Sequence, residues 1–158
     1  MRRANHGRRW AVSIFFVLCA AVSLTSRPLR AQATPDWAQE VNKKWYAAFN
    51  AGDAAGLMKL YAADAVLLLP DQTLRGRGAI EGFQSINFQK TRYSCQWSID
   101  GVQAVGKQAA VLGHDTCLES PKSGGAGKTV KNRWLTVYER QADGSWLIAR
   151  DTSEEIKP

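Results

Sequence analysis

Two aspartates in the second half of the chain, Asp115 and Asp151, stand in the kind of sequence that proton-transfer chemistry uses. Each lies in a run of residues that alternates as the two faces of a β-strand do. The neighbours on the same face are mostly small or apolar: Val111, Gly113 and Cys117 beside Asp115, and Leu147, Ala149 and Ser153 beside Asp151. A carboxyl group in such surroundings has a raised pKa and can act as a general base. Both are therefore candidate catalytic residues.

A structural interpretation of the same acids stays open and is preferred for each residue taken singly. Asp115 would pair with Arg133 or with a lysine of a neighbouring strand, and Asp151 would cap a strand end. The two acids could also share Arg133 or form a two-carboxylate site. His114 falls on the opposite strand face, where it would be solvated or part of a dimer contact. A register slip by one residue would make it the leading acid–base candidate instead.

Residues 1–33 have the layout of a secretory signal peptide. A basic front end is followed by an apolar run over residues 10–22 that is too short to cross a bilayer. The tripeptide Ala31-Gln32-Ala33 is typical of a cleavage site. We expect cleavage near Ala33, export to the periplasm or to the outside of the cell, and a single domain over residues 34–158.

Removal of this leader changes what the net charge of +7 implies. The leader contains six of the 21 Lys and Arg residues, so 15 remain against 14 Asp and Glu, all of which lie after it. A nearly neutral chain has no basic excess with which to hold a phosphate backbone or an anionic membrane. Neither a nucleic acid nor a membrane surface is therefore an expected partner.

Two cysteines, Cys95 and Cys117, remain after the leader, and an oxidising compartment favours a disulfide between them. Their predicted strands meet at the turn Gly106-Lys107, which brings Cys95 opposite Leu118, one residue from Cys117. A β-bulge would correct that offset. The alternative is a pair of buried thiols. Because His114 is the only histidine in residues 34–158, no zinc or iron site and no catalytic cysteine is expected.

Helical periodicity comes first in the chain and strand alternation follows it. A first helix begins at Thr34-Pro35-Asp36 and ends at Gly52, with an apolar face of Trp37, Val41, Trp45, Ala48 and Phe49. Then come a helix over 54–62, a strand over 65–69, a turn over 71–73, and a helix over 79–89 with Ile80, Phe83, Ile86 and Asn87 facing inward. Four strands are predicted over residues 93–105, 109–119, 129–141 and 146–154. This order predicts an α+β fold.

Three segments carry a family resemblance: residues 45–70, the stretch Leu74-Arg75-Gly76-Arg77-Gly78-Ala79-Ile80, and residues 134–151 with the turn Asp143-Gly144-Ser145-Trp146. In these segments the chain resembles the superfamily of ketosteroid isomerases, nuclear transport factor 2-like proteins and SnoaL-like proteins, and most of all a large SnoaL-like group. The resemblance implies a cone-shaped fold in which three N-terminal helices pack on a strongly curved, mostly antiparallel sheet. It specifies a fold better than a reaction.

The positions that ketosteroid isomerases use for catalysis are occupied here by residues of different chemistry. The oxyanion-binding tyrosine of the first helix falls on Trp45, the base falls on Leu69, and the second acid falls at about Thr136. Leucine cannot accept a proton, and an indole is a poor substitute for a phenol. Ketosteroid isomerase activity itself is therefore not expected.

The resemblance further implies a cavity between the first helix and the concave sheet face, with Asp115 and Asp151 facing into it. The other side chains expected around it are Trp45, Phe49, Tyr61, Leu69, Asp71, Arg75, Trp97, Gly113, Arg133, Trp134 and Thr136. We expect this cavity to bind a small, mainly apolar molecule without a cofactor. The alternatives are a proton-transfer enzyme of the isomerase, cyclase or dehydratase type, and an assembly module that forms a homodimer through the outer sheet face.

Overall fold

The computed structural model describes residues 34–157, and the expected signal peptide with its cleavage site lies outside the described residues. None of the helices in this range is both long enough and apolar enough to cross a membrane. The elements in chain order are α1 (Asp36–Ala51), α2 (Ala54–Met58), β1 (Tyr61–Leu68), β2 (Thr73–Arg75), α3 (Arg77–Lys90), β3 (Thr91–Val105), β4 (Gln108–Pro121), β5 (Lys128–Arg140) and β6 (Trp146–Glu155).

The strands of residues 34–157 form one curved, unclosed sheet in the order β2-β1-β6-β5-β4-β3. Neighbouring strands are antiparallel except β1 and β6, which run parallel. The helices precede the long hairpins and pack on one side of the sheet, around a core that includes Leu57, Tyr61, Ile80 and Tyr138. The predicted α+β cone fold is confirmed.

Helix α1 begins and ends where the sequence predicts. Asp36 lies in its first turn, where an acid is favourable, and Gly52 ends it with a positive φ of 69°. Its most buried side chains, however, are Ala38, Asn42 and Tyr46, whereas the predicted aromatic face is only partly buried. The polar group of Asn42 is accommodated because its amide donates to the carbonyl oxygen of Ala38 at 3.0 Å.

The second helix is shorter than predicted and the first strand is longer. Asp53 caps α2 by accepting a hydrogen bond from the backbone N–H of Gly56 at 2.8 Å, and the helix stops at Met58. Strand β1 then begins at Tyr61 because the backbone there pairs with β6, opposite Ile148. Tyr61 is thus a buried strand residue and not part of a helix.

Helix α3 shows one wrong prediction of burial. Its buried side chains are Ile80, Gln84 and Phe88, which follow one another at intervals of four residues. Ile86, expected to face inward, is 52% exposed. It is two residues from both Gln84 and Phe88, so its side chain lies on the opposite side of the helix from this stripe. The structure also adds the short strand β2, which pairs with β1 directly after the turn predicted over residues 71–73.

Two bulges set which side chains face the inside of the sheet. The register of β3 and β4 shifts between Ile99 and Gly101, which places Cys95 directly opposite Cys117. The predicted disulfide between these cysteines is confirmed. A second shift, in the pairing of β5 with β6, falls between Ile148 and Arg150 and changes the alternation of β6 by one residue.

Candidate functional site

Two cavities lie between α1 and the sheet, and they share part of their walls. The small cavity has a volume of about 50 Å³ and the large cavity has a volume of about 230 Å³. The residues that line both are Trp45, Tyr46, Asp115, Asp151 and Ser153. Aromatic and aliphatic side chains dominate the rest of the large cavity, among them Phe49, Leu67, Leu69 and Tyr93. The predicted acids and the first helix therefore meet around a single hollow region.

Asp151 is held at the cavity wall by two hydroxyl groups. The hydroxyl of Tyr61 donates to its Oδ2 at 2.6 Å, and the hydroxyl of Thr136 donates to its Oδ1 at 2.8 Å. The Tyr61 oxygen in turn accepts a hydrogen bond from the indole N–H of Trp45 at 3.1 Å. Burial raises the pKa of Asp151 above its ordinary value, although both hydroxyl hydrogen bonds act to lower it. This carboxyl group can hold or release a proton inside the protein.

Asp115 has a similar but separate set of neutral partners. Tyr46 of α1 donates to its Oδ2 at 2.7 Å, and the side-chain amide of Asn132 on β5 donates to its Oδ1 at 2.9 Å. The side chain is 8% exposed. The Sγ atom of Cys117 lies 3.3 Å from Oδ1, and because it is disulfide-bonded it has no proton to donate. Neutral donors, and not a cation, therefore satisfy this carboxylate.

Gly113 makes room for the aromatic wall formed by Trp134. A Cβ atom at position 113 would overlap the Trp134 ring and the carbonyl oxygen of Ser98. Trp134 is 8% exposed and lines the small cavity. Its indole N–H is buried, and no hydrogen-bond partner for it is found among residues 34–157. The wall of the small cavity thus contains an unused donor.

Six predicted site residues line neither cavity: Tyr61 and Gly113 are buried behind the wall, and the other four lie elsewhere. Arg133 is exposed on the outer sheet face, where it pairs with Glu154 at 3.0 Å and does not reach Asp115. Asp71 and Arg75 are exposed and line neither cavity, because the β1–β2 hairpin turns them to solvent. Trp97 is partly buried and stacks on Tyr46 at 5.5 Å, outside both cavities.

The face that the sequence assigns to β6 also needs correction. Ile148 lines the small cavity together with Asp151, whereas Leu147 and Ala149 do not line it. The bulge between Ile148 and Arg150 is the reason, because it shifts the alternation. His114 lies on the outer face and its Nδ1 is 2.9 Å from Asp100. It does not enter the pocket.

Sequence reasoning missed several polar side chains that meet at the cavity, namely Asn42, Tyr46, Asn132 and Tyr138. Signals for three of them were present in the sequence. Asn42 and Tyr46 are separated by one helical turn, so they share a face of α1. Alternation from Thr136 through Trp134 leads to Asn132 and leaves Arg133 on the outside.

Among residues 34–157, no group of three or more His, Cys, Asp or Glu side chains is arranged to hold a metal ion. The chemistry that the described residues themselves offer is that of two carboxyl groups with hydroxyl and amide donors, next to aromatic walls. Such a site can bind an apolar body, hold a polar end, and transfer a proton.

The fold is the cone-shaped α+β fold of solved ketosteroid isomerase-like and nuclear transport factor 2-like proteins. A family model for the SnoaL-like domain matches residues 42–149, and the chain belongs to that family. No curated protein matches the chain.

Solved structures with this fold come from several bacteria. A ketosteroid isomerase-like protein from Erwinia carotovora atroseptica matches with a TM-score of 0.70 and 23% identity, over 76% of this chain and 94% of its own. A putative scytalone dehydratase from Novosphingobium aromaticivorans matches with a TM-score of 0.70 and 14% identity, over 77% of this chain and 83% of its own. A putative calcium/calmodulin dependent protein kinase II association domain from Xanthomonas campestris has a TM-score of 0.62 and 26% identity, over 75% of this chain and 85% of its own. At such identities these matches establish the fold alone.

Replacing Asp151 with Asn should change how the free energy of unfolding depends on pH. The pKa of Asp151 is raised in the folded protein, so its proton is held more tightly there than in the unfolded chain. The resulting stabilisation is complete below the ordinary pKa of an aspartate and is lost as the pH rises through the raised folded value. A pKa that differs by one between the folded and unfolded states corresponds to about 1.4 kcal/mol. The free energy of unfolding of Asp151→Asn should not show this decrease as the pH rises.

Urea unfolding of both proteins between about pH 4 and about pH 8 measures the difference. The control is Asp64→Asn, since Asp64 is exposed and lines neither cavity. It should follow the wild-type curve. Parallel curves for the wild type and Asp151→Asn would show that this carboxyl group titrates alike in the folded and unfolded states.

Proposed function

We propose that this chain is an exported domain that binds a small, mainly apolar molecule in the large cavity. The observation that carries the proposal is an aromatic-walled hollow that also contains two carboxyl groups. Trp45, Phe49 and Tyr93 supply flat apolar surface, and Asp115 and Asp151 supply the few polar atoms that orient a ligand. Ligand sites commonly combine these features. Export rests on the leader sequence, with the periplasm as the expected compartment.

A second candidate function is cofactor-free acid–base catalysis, of the isomerase, cyclase or dehydratase type. The observation that favours it is the environment of Asp151, whose raised pKa and two hydroxyl donors suit a group that gains and loses a proton. Asp115 supplies a second carboxyl group in the same cavity wall. One of these two carboxyl groups could act as the base while the other carboxyl group holds a proton or returns it to the substrate.

The outer sheet face supports a homodimer. Leu112 on β4 and Leu135 on β5 are paired across the two strands, and they are 47% and 42% exposed. Leu118 lies on the same face of β4 and is 45% exposed. The adjacent pair Leu112 and Leu135 supports an interaction surface on this face, with Leu118 farther along the same strand. A second copy of the chain would cover them together with the neighbouring Arg133–Glu154 pair.

Ligand binding is tested with neutral aromatic fragments such as phenol and benzyl alcohol, followed by protein NMR on the mature chain. Leu69→Trp should fill the large cavity and weaken binding at least about tenfold, because the added ring occupies the same space. Leu68→Trp is the matched control, since Leu68 is exposed and lines neither cavity. Equal binding by the two variants would place the ligand elsewhere.

Acid–base catalysis is tested with 5-nitrobenzisoxazole, a neutral probe whose ring opens when a base removes its C–H proton and the N–O bond breaks. The value of kcat/KM should rise with pH as the acting carboxyl group ionises. Replacing that group with asparagine, in Asp151→Asn or Asp115→Asn, should lower kcat/KM about 100-fold. A rate equal to that in buffer, or one unchanged in both variants, would reject this candidate.

Self-association is tested by light scattering at several protein concentrations. The double variant Leu112→Asp/Leu135→Asp should be monomeric, because charges on this face would oppose its burial. Ile86→Asp changes an exposed residue of α3 instead and should leave the dimer intact. A wild type that remains monomeric at high concentration would remove the dimer from consideration.

A further inference from the structure

The two cavities are lined by acids without any basic side chain. Asp115, Asp151 and Glu119 face the large cavity, and among the described residues no Lys, Arg or His lines either cavity. The same residues include no ion pair to Asp115 or Asp151. The hydrogen-bond donors to these two acids are the neutral groups of tyrosine, threonine and asparagine. Within residues 34–157, Asp115 and Asp151 therefore have no basic side chain paired with them, whereas Glu119 lies opposite Lys128 of β5.

Acids on the outside of the same sheet are arranged differently. Glu154 pairs with Arg133 at 3.0 Å, and Asp100 lies against His114 at 2.9 Å. These outer-face acids thus have a basic side chain beside them, whereas Asp115 and Asp151 on the inner face have no such ion pair among the described residues. Carboxylates withdrawn from water are normally paired with a positive charge or kept protonated. The cavity acids are therefore suited to receive a positive charge from a ligand.

The apolar walls suit the same kind of ligand. The rings of Trp45 and Phe49 are stacked with centroids 4.8 Å apart, and Phe49 lies 4.7 Å from the ring of Tyr93. These rings give the apolar body of such a ligand an aromatic surface to pack against. Trp134, which lines the small cavity, also has a buried indole N–H without a partner among the described residues.

We infer that the ligand of this cavity is a cation: a small organic amine or quaternary ammonium compound with an apolar body. The inference deepens the binding function proposed above and rests on it. The ammonium group lies against the acidic part of the wall that contains Asp115 and Asp151, and the apolar body lies against Trp45, Phe49 and Tyr93.

Proton linkage follows from the groups around these acids. Burial raises the pKa of Asp151 and also that of Glu119. Tyr46, Tyr61 and Tyr138 face Asp151 with neutral hydroxyls, and Lys128, Glu155 and Tyr93 lie around Glu119. A bound cation favours the ionised carboxylates, so its binding releases protons. Affinity for a cation should therefore increase as the pH rises.

The test compares benzylamine, benzyl alcohol and benzoate, which share a ring and differ in charge, by NMR titration of the mature protein. Benzylamine should bind about tenfold more tightly than benzyl alcohol, and benzoate should not bind measurably. Benzylamine binding should tighten between about pH 5 and about pH 8, a range in which this amine stays protonated. Asp115→Asn/Asp151→Asn should abolish the preference for the amine.

Glu119→Gln serves as a second variant that should fold normally, since Glu119 is only partly buried. It should weaken benzylamine binding about threefold and leave benzyl alcohol unaffected. Asp64→Asn changes an exposed acid outside the cavities and should change neither. Benzyl alcohol binding as tightly as benzylamine would overturn the cation assignment while leaving the cavity as a binding site. Absence of binding by all three compounds would overturn both the cation assignment and the proposed binding function of the cavity.

Discussion

Two carboxyl groups withdrawn from water without a basic side chain beside them are the constraint on which this site depends. Each must be satisfied by neutral donors, because an unpaired buried charge is costly. The donors come from different elements: Tyr46 from α1, Tyr61 from β1, and both Asn132 and Thr136 from β5. Satisfying the acids therefore also fixes the spacing between α1 and the sheet. The two cavities occupy the space that remains between α1 and the sheet at this spacing.

A second set of contacts fixes the far end of α1. The side chain of Asn50 donates to the carbonyl oxygen of Cys95 at 3.1 Å and accepts from its backbone N–H at 2.8 Å. The helix is thereby joined to β3 at the strand position that carries the disulfide to β4. Tyr46, one turn earlier, reaches Asp115 on β4. Helix and sheet are held together by polar contacts at both points, so the aromatic walls need not collapse onto one another.

Most of the architecture is predictable from periodicity, and so are the site residues that depend only on it. Alternation places Asp115 and Gly113 on the buried face of β4, and the capping residues locate both ends of α1. Prediction failed where geometry depends on partners far away in the chain. The start of β1 at Tyr61 depends on pairing with β6, and the face of Ile148 depends on a bulge. The donors to each acid are likewise a tertiary property, although alternation alone excludes Arg133.

The parallel pairing of β1 with β6 has a consequence for the order of assembly. The hydrogen bond from Tyr61 to Asp151 joins residues 90 positions apart, and within the described sheet β1 has no other long neighbour. Such a contact closes a large loop and forms late, after local hairpins. During synthesis, β1 must wait until the final strand has left the ribosome. The region around Asp151 is consequently among the last parts of the domain to acquire native structure, and a truncation that removes residues 148–152 would leave β1 without its long partner.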